Sequence, residues 1–448
     1  MSNTIDIYGA GLAGAEAAWQ AAKYGAHVRL YEMKPEKRTP AHTYGGFAEL
    51  VCSNSLRSDC LTNAVGLLKE EMHRLGSLVM EAAYECRVPA GGALAVDRFK
   101  FSDYITEKLR SNPNIEIIPE EKTNGISENP LIIATGPLTS DPLASWISGE
   151  FGASTLNFFD AAAPIVDFST VDMEKAFFAS RYGKGDADYI NCPMEKDEYL
   201  AFLHELLNAR TAELHEFDSD AQKAPNVFEG CMPVEVMAAR GEDTLRYGPL
   251  KPVGLPDPKT GKEFYAVVQL RKEDRNGTMY NLVGFQTHLA IPEQKRVFRM
   301  IPGLENAEFF RFGVMHRNTY LNSPGLLDGH YRVIGERPLW FAGQMTGVEG
   351  YIESAASGML AGIDAAFSVR GEKCPEFSDK TAIGALGCYV SRGSNGRFDP
   401  MNVNFGIIAP LDKRVKGGKK AKNEALAARA LEIVDGIAAE LSAREQGK

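Results

Sequence analysis

Three glycines near the start of the chain, Gly9, Gly11 and Gly14, are spaced G-x-G-x-x-G, and a carboxylate, Glu32, stands 18 residues after the last of them. Residues of these types at this spacing bind phosphate. Gly9 permits a tight turn, Gly11 lets the backbone approach a pyrophosphate, and Gly14 lets a helix pack close to a sheet. With Ala10, Leu12 and Ala13 they form a loop whose backbone N–H groups open a helix and face the phosphates. Glu32 is in register to accept a hydrogen bond from a ribose hydroxyl. Seven cysteines, at 52, 60, 86, 192, 231, 374 and 388, are the other reactive groups. No pair is spaced C-x-x-C, and the eight histidines form no H-E-x-x-H pattern, so no bound metal is expected. By type alone each cysteine reads as a reduced, buried small residue.

The elements that must position these groups follow from pattern. The apolar run Ile5–Tyr8 reads as a buried strand, an alanine-rich helix follows the glycines, and a second strand ends at Glu32. A helix is expected over about Ala64–Ala83, with Leu67, Leu68, Met72, Leu75 and Val79 on one face; Asp97 caps another running to about Leu109, and Asn114–Ile118 returns as a strand. Two further segments carry the nucleotide-binding signal. The run Pro130–Pro137 is a strand ending in Ala134-Thr135-Gly136, with Gly136 passing near a cofactor. Far downstream, the strand Leu339–Ala342 enters Gly343-Gln344, bends at Gly347 and Gly350, and opens a helix at Tyr351 that is rich in small residues (Ala355, Ala356, Gly358, Gly362). Such a helix start offers backbone donors to a flavin's pyrimidine end or its phosphates. The three signals together point to FAD rather than NAD.

The fold expected is α/β: a Rossmann-like FAD-binding domain built from both ends of the chain (1–144 and 331–448), with an inserted α+β substrate domain (145–330). That insertion holds hairpin strands Tyr265–Leu270 and Tyr280–Gln286 around Asn276-Gly277, and a helix near Asp197–Arg210. The C-terminal part reads as a mobile basic loop, with Lys413, Arg414, Lys416, Lys419, Lys420 and Lys422, ahead of a helix over Asn423–Leu441. Its two readings are a solvated charge run and a phosphate-binding patch.

At 448 residues the chain is long enough for two or three domains. A net charge of −10 does not by itself favour nucleic acid or an anionic membrane as partner. No apolar stretch approaches the ~20 residues of a membrane span, and the N-terminus lacks a signal-peptide plan. A cytoplasmic protein is expected.

Several segments together resemble one family, the folate- and flavin-dependent tRNA uracil-5-methyltransferases (TrmFO). They are Tyr8–Gly14, the Glu49–Arg57 run ELVCSNSLR, the Val88–Asp97 run VPAGGALAVD, the Phe228–Glu235 run FEGCMPVE, Gly343–Gly362 and the Pro400–Gly406 run PMNVNFG. The resemblance covers essentially the whole chain. The Gly343–Gly362 signal is shared with a related flavoprotein that modifies wobble uridines, whereas the cysteine segments are specific. It implies that NADPH or NADH reduces FAD, and that the one-carbon unit of 5,10-methylenetetrahydrofolate passes by way of the reduced flavin to carbon 5 of the T-loop uridine of tRNA. The resemblance also implies two functional cysteines. Cys231 would attack carbon 6 of the uracil, because adding a thiolate there makes carbon 5 nucleophilic. Cys52 would lie beside the flavin, guarding or releasing the one-carbon unit or moving a proton. Arg57, Glu49 and Glu235 read more readily as structural ion pairs than as folate-steering groups. The same chemistry on ribosomal RNA, and an FAD-dependent oxidation of a small molecule, stand as the alternatives.

Overall fold

The computed structural model describes every residue except 1–2, 40, 152–155, 162, 184–185, 213–231, 275, 314, 336, 393–397, 399, 414 and 447–448; of 156–161, 315–319 and 446 only the backbone is described. Cys231 and Arg414 therefore lie outside the described residues.

Five parallel strands form the central sheet, in the order Leu339–Phe341, Leu131–Ile133, Thr4–Tyr8, His27–Tyr31, Ile115–Ile118. Continuous apolar strands suit a sheet covered on both faces, and Ile5, Ile7, Val28, Leu30, Ile132 and Trp340 are fully buried. The strand nearest the C-terminus pairs with Leu131–Ile133, so both ends of the chain build one sheet.

The opening helix, Leu12–Lys23, packs against the long helix Tyr351–Val369. Glycines make that approach possible. A Cβ on Gly358 would stand 2.1 Å from the Ala13 carbonyl oxygen, and one on Gly362 would stand 2.5 Å from that of Ala17. The two helices thus meet backbone to backbone.

A second, six-stranded sheet is antiparallel throughout: Phe177–Ala179, Tyr189–Met194, Ala266–Lys272, Met279–Leu282, Ile165–Asp167, Phe309–Arg311. The expected hairpin is its centre, and Gly277 turns it with φ +69°. This sheet has its own core, with Val166, Phe202, Leu270, Phe285 and Phe298 among its buried members. The Lys196–Asn208 helix covers it, its first turn closed by reciprocal bonds between Glu195 and Glu198.

Two expectations need correction. The single helix over Ala64–Ala83 is two helices, Ala64–Arg74 and Leu78–Glu85. Gly76 adopts φ +79°, and the Ser77 side chain accepts from Met80 N to start the second. The apolar periodicity runs through the break because Leu75 and Val79 stay buried on both sides of it. The terminal helix spans Gly418–Gln446, so Lys419, Lys420 and Lys422 belong to its first turns and not to a mobile loop.

Candidate active site

One cleft gathers most of the residues assigned to cofactor binding from sequence. Gly9, Gly11, Leu12, Ala13, Glu32, Gly136, Gly343, Gln344 and Tyr351 line about 1190 Å³ of space free of protein atoms, part of it open to solvent. The three signals, separated by up to ~340 residues of chain, meet because their strands are neighbours in the parallel sheet and all end at the same edge. Lys34, His42, Glu49 and the Thr135–Ser140 turn are among the other residues of the lining.

The glycines divide by role. A Cβ on Gly9 would lie 2.7 Å from the Ala134 carbonyl oxygen, and one on Gly14 would lie 1.8 Å from that of Gly9. Both are demanded by the closeness of strand ends and helix. Gly11 meets nothing within 4 Å, so its missing side chain opens space in the cleft rather than relieving a protein contact. Gly14, Ala10 and Gly350 do not line the cleft. Ala10 N–H donates to Glu32 Oε2 at 2.8 Å, and Lys34 N–H donates to Glu32 Oε1 at 3.0 Å, which fixes the carboxylate at the cleft wall. Gly350, at φ +111°, sits against Glu353 and Asn402.

At the Tyr351 end the cleft reaches a cysteine. Tyr351 is the first residue of its helix, and its hydroxyl oxygen accepts from Cys52 N (2.7 Å) and Ser53 N (3.2 Å). With its oxygen accepting from both N–H groups, the hydroxyl is left to donate to Cys52 Sγ, 2.8 Å away. Burial and the neighbouring cysteine push the phenol well above its ordinary value, so Tyr351 stays protonated and a donor.

The segment carrying Cys52 is held rigidly. Lys69, fully buried, donates Nζ to the carbonyls of Leu56 (2.8 Å), Arg57 (3.2 Å) and Ser58 (2.6 Å); burial brings its ammonium down to about 8. Arg57 sits at φ +64° and pairs with buried Glu353. Asn54 Nδ2 donates to Val96 O (3.0 Å) and to Lys272 O (2.8 Å), tying the segment to the antiparallel sheet. Glu49 accepts from Thr43 N (2.9 Å) and Tyr44 N (3.1 Å). Glu235 accepts from His288 N (2.7 Å) and Thr287 Oγ1 (2.9 Å). Both carboxylates thus fasten loops.

The side chains that sequence reasoning missed are Arg98, Glu273 and Arg311. Arg98 and Glu273 form a buried ion pair at 2.8 Å. Arg311 lies within electrostatic reach of both, and of Cys52 and Tyr351. Each comes from a different element, and only Arg98, directly after the helix cap Asp97, had any local signal.

Lys413, Lys416, Lys419, Lys420 and Lys422 are exposed. Lys419 lines a second cleft of about 980 Å³ with Arg57, Asn63 and Asn404. Of the cysteines described, Cys86, Cys192 and Cys374 are buried, Cys52 and Cys388 are half-buried, and Cys60 is exposed, against the expectation for a small apolar residue. His330, Asp364 and Cys374 also lie within 4.8 Å of one another. There the Asp364 carboxylate accepts from Trp340 Nε1 at 2.8 Å, and burial pushes the Cys374 thiol up.

No helix among the described residues is long and apolar enough to cross a membrane. Residues 4–373 match the family model described as glucose inhibited division protein A. A protein of Acetivibrio thermocellus named methylenetetrahydrofolate–tRNA-(uracil-5-)-methyltransferase TrmFO is 59% identical over 434 residues, covering 97% of this chain and 98% of its own. A Heliobacterium modesticaldum protein of the same name is 58% identical over 437 residues, covering 98% of each. Among solved structures, Aquifex aeolicus GidA in its form II crystal superposes with a TM-score of 0.70 at 16% identity, covering 99% of this chain and 76% of that one; this is a likeness of fold.

Proposed function

The chain belongs to the glucose inhibited division protein A family, and from that premise we propose that it performs the reaction its most similar relatives are named for. It transfers the one-carbon unit of 5,10-methylenetetrahydrofolate to carbon 5 of the T-loop uridine of tRNA, with FAD as cofactor and NADPH or NADH as reductant, giving 5-methyluridine and tetrahydrofolate. The observation that carries the reading is that the cleft lined by Gly9, Glu32, Gly136 and Gly343 is also lined by Tyr351, whose hydroxyl is hydrogen-bonded to Cys52.

The residues present fit FAD. Gly9, Gly11, Leu12 and Ala13 would hold the pyrophosphate, Glu32 the ribose, and Gly136, Gly343, Gln344 and Tyr351 the remainder of the cofactor; the open space at Gly11 is where a Cβ would intrude. Bound there, FAD would supply the reducing electrons and carry the one-carbon unit. The chain's own groups do the rest. Cys231 adds its sulfur to carbon 6 of the flipped-out uracil, and the pair of electrons of the 5,6 double bond moves onto carbon 5 and the carbon 4 oxygen. Carbon 5 then forms a bond to the electrophilic carbon, a base removes the carbon 5 proton, and the bond from the one-carbon unit to its carrier breaks to leave an exocyclic methylene on the uracil; a hydride, drawn ultimately from NADPH or NADH, would convert that methylene to methyl as the sulfur leaves carbon 6. Cys52, hydrogen-bonded to Tyr351, stands where it can guard the one-carbon unit or move a proton. Lys413, Arg414, Lys416, Lys419, Lys420 and Lys422 are the surface proposed to meet RNA phosphates.

Incubation with labelled methylenetetrahydrofolate, NADPH and unmodified tRNA tests this. Label should appear as 5-methyluridine at the T-loop position alone; absence of label from tRNA by a flavin-loaded enzyme would overturn the reading.

A further inference from the structure

Three buried polar atoms on two side chains within electrostatic reach of Cys52 and its neighbours have no hydrogen-bond partner among the described residues. Arg98 donates both Nε (3.1 Å) and Nη2 (2.8 Å) to a single oxygen of Glu273, Oε2. The other oxygen, Oε1, has no hydrogen-bond partner among the described residues, and neither have Nε and Nη2 of Arg311. Glu273 is almost fully buried, just past the end of the Ala266–Lys272 strand. Arg311 ends the edge strand Phe309–Arg311, whose pairing with Ile165–Asp167 is shifted by a bulge at that point. Bulges are a common means of re-aiming a side chain near a functional site.

Each such orphan is costly to bury, and a charged group more so. Native proteins keep few of them. Here two guanidinium groups lie within electrostatic reach of one carboxylate that bonds only Arg98, and burial together with the like charge of Arg98 pushes the Arg311 guanidinium below its ordinary value. Replacing Arg311 with an apolar residue would remove the penalty, so its presence calls for a partner that the described residues do not supply.

What remains unpaired defines that partner. Two N–H donors on Arg311 and one carboxylate oxygen on Glu273, within electrostatic reach of one another, complement a carbonyl oxygen beside an N–H. That is the lactam edge of a planar heterocycle. Uracil has it, and a pterin has it with an adjacent amino group that adds a second N–H for the carboxylate.

We propose that Arg311 and Glu273 form the recognition site for the lactam edge of the heterocycle presented to Cys52, with Arg98 as the positioning residue that locks the Glu273 carboxylate. This rests on the methyltransferase reading above, whose two non-flavin substrates, the pterin of the folate and the uracil of the RNA, both carry that edge. A site built to pair such groups loses affinity sharply when one member is removed, because the other stays buried and unpaired.

The test uses the full-length, FAD-loaded protein and the variants Glu273→Gln, Arg311→Met and Arg311→Lys, the last keeping charge while losing the fork. Quenching of flavin fluorescence is titrated with tetrahydrofolate, with p-aminobenzoylglutamate (the folate tail without its pterin), and with T-arm hairpins carrying either uridine or an abasic site at the target. If the edge is the pterin's, tetrahydrofolate binds at least tenfold more weakly to the variants while p-aminobenzoylglutamate is unaffected. If it is the uracil's, the uridine hairpin weakens at least tenfold and the abasic hairpin does not. Flavin content should match the unaltered protein, and Arg311→Met should melt no lower than it. Unchanged affinity for both heterocycles, or equal losses for probes with and without the heterocycle, would overturn the proposal. Failure of the unaltered protein to bind either tetrahydrofolate or hairpin would instead refute the methyltransferase reading and this inference with it. Glu273→Gln, isosteric and still an acceptor for Arg98, carries the test if Arg311→Met does not fold.

Discussion

Adding one methyl group at either of two helical glycines should have opposite effects. At Gly358 a Cβ would stand 2.1 Å from the Ala13 carbonyl oxygen and 2.8 Å from its Cα, where ordinary contact is 3.4–4 Å. The obstacle is backbone, so no side chain can swing aside, and the Tyr351–Val369 and Leu12–Lys23 helices must separate by roughly 1 Å. Overpacking of this kind costs about 1–3 kcal/mol. The gain in helix propensity from glycine to alanine returns about 1 kcal/mol, leaving a net loss of up to ~2 kcal/mol. The displacement also passes along the helix to Tyr351, so Gly358→Ala should purify with less flavin. Gly436, exposed in the Gly418–Gln446 helix, meets nothing within 4 Å. There only the propensity term acts, and Gly436→Ala should stabilise by up to ~1 kcal/mol with unchanged flavin. Urea unfolding at fixed pH, with flavin absorbance per protein, measures both. A Gly358→Ala protein as stable and as yellow as the unaltered one would refute the backbone-contact argument.

Three further outcomes are expected. Cys231→Ala should abolish methylation while keeping flavin, and Cys52→Ala should alter both activity and the flavin spectrum; full methylation by Cys231→Ala would eliminate the nucleophile assignment. Glu71 is fully buried and accepts from Ala382 N and Ile383 N, both at 2.8 Å, yet burial pushes its carboxyl up to about 7. The folded state then holds a proton that the unfolded chain releases near 4.3, so this stabilisation is complete below that pH and is lost as pH rises to about 7, by roughly 4 kcal/mol at most. Glu71→Gln should therefore flatten the fall in urea midpoint between pH 5 and pH 7.5, and an unchanged slope would show that Glu71 does not titrate there. Reversing charge at Lys413, Lys416, Lys419, Lys420 and Lys422 should weaken RNA binding at low salt and reduce the log–log salt slope by about 0.7–0.9 per lost phosphate contact; an unaltered slope would make this surface merely solvated.

What could be read from sequence was what local backbone chemistry dictates. Gly9 and Gly14 are required by contacts within a few residues or with the adjacent strand, so their spacing announces the fold, and Glu32 follows from the strand's length. The break at Gly76 was hidden because the apolar face continues across it. The early start of the terminal helix was hidden because two glycines and a run of lysines at a helix N-terminus oppose both propensity and the helix dipole. Arg98, Glu273 and Arg311 were invisible for a different reason. Each is an ordinary charged residue in its own segment, and only the packing of the antiparallel sheet's end against the Cys52 segment makes them one group.

The central claim is that the thiol of Cys231 and the flavin-lined cleft act on one extruded uracil. A T-arm hairpin carrying 5-fluorouridine at the target position examines it directly, since carbon 5 then has no proton to lose and the sulfur cannot be expelled. Incubated with the FAD-loaded enzyme, NADPH and methylenetetrahydrofolate, it should yield a covalent protein–RNA adduct whose mass includes the one-carbon unit and whose attachment maps to Cys231. An active enzyme that gives no adduct, or an adduct at any other residue, would contradict the account.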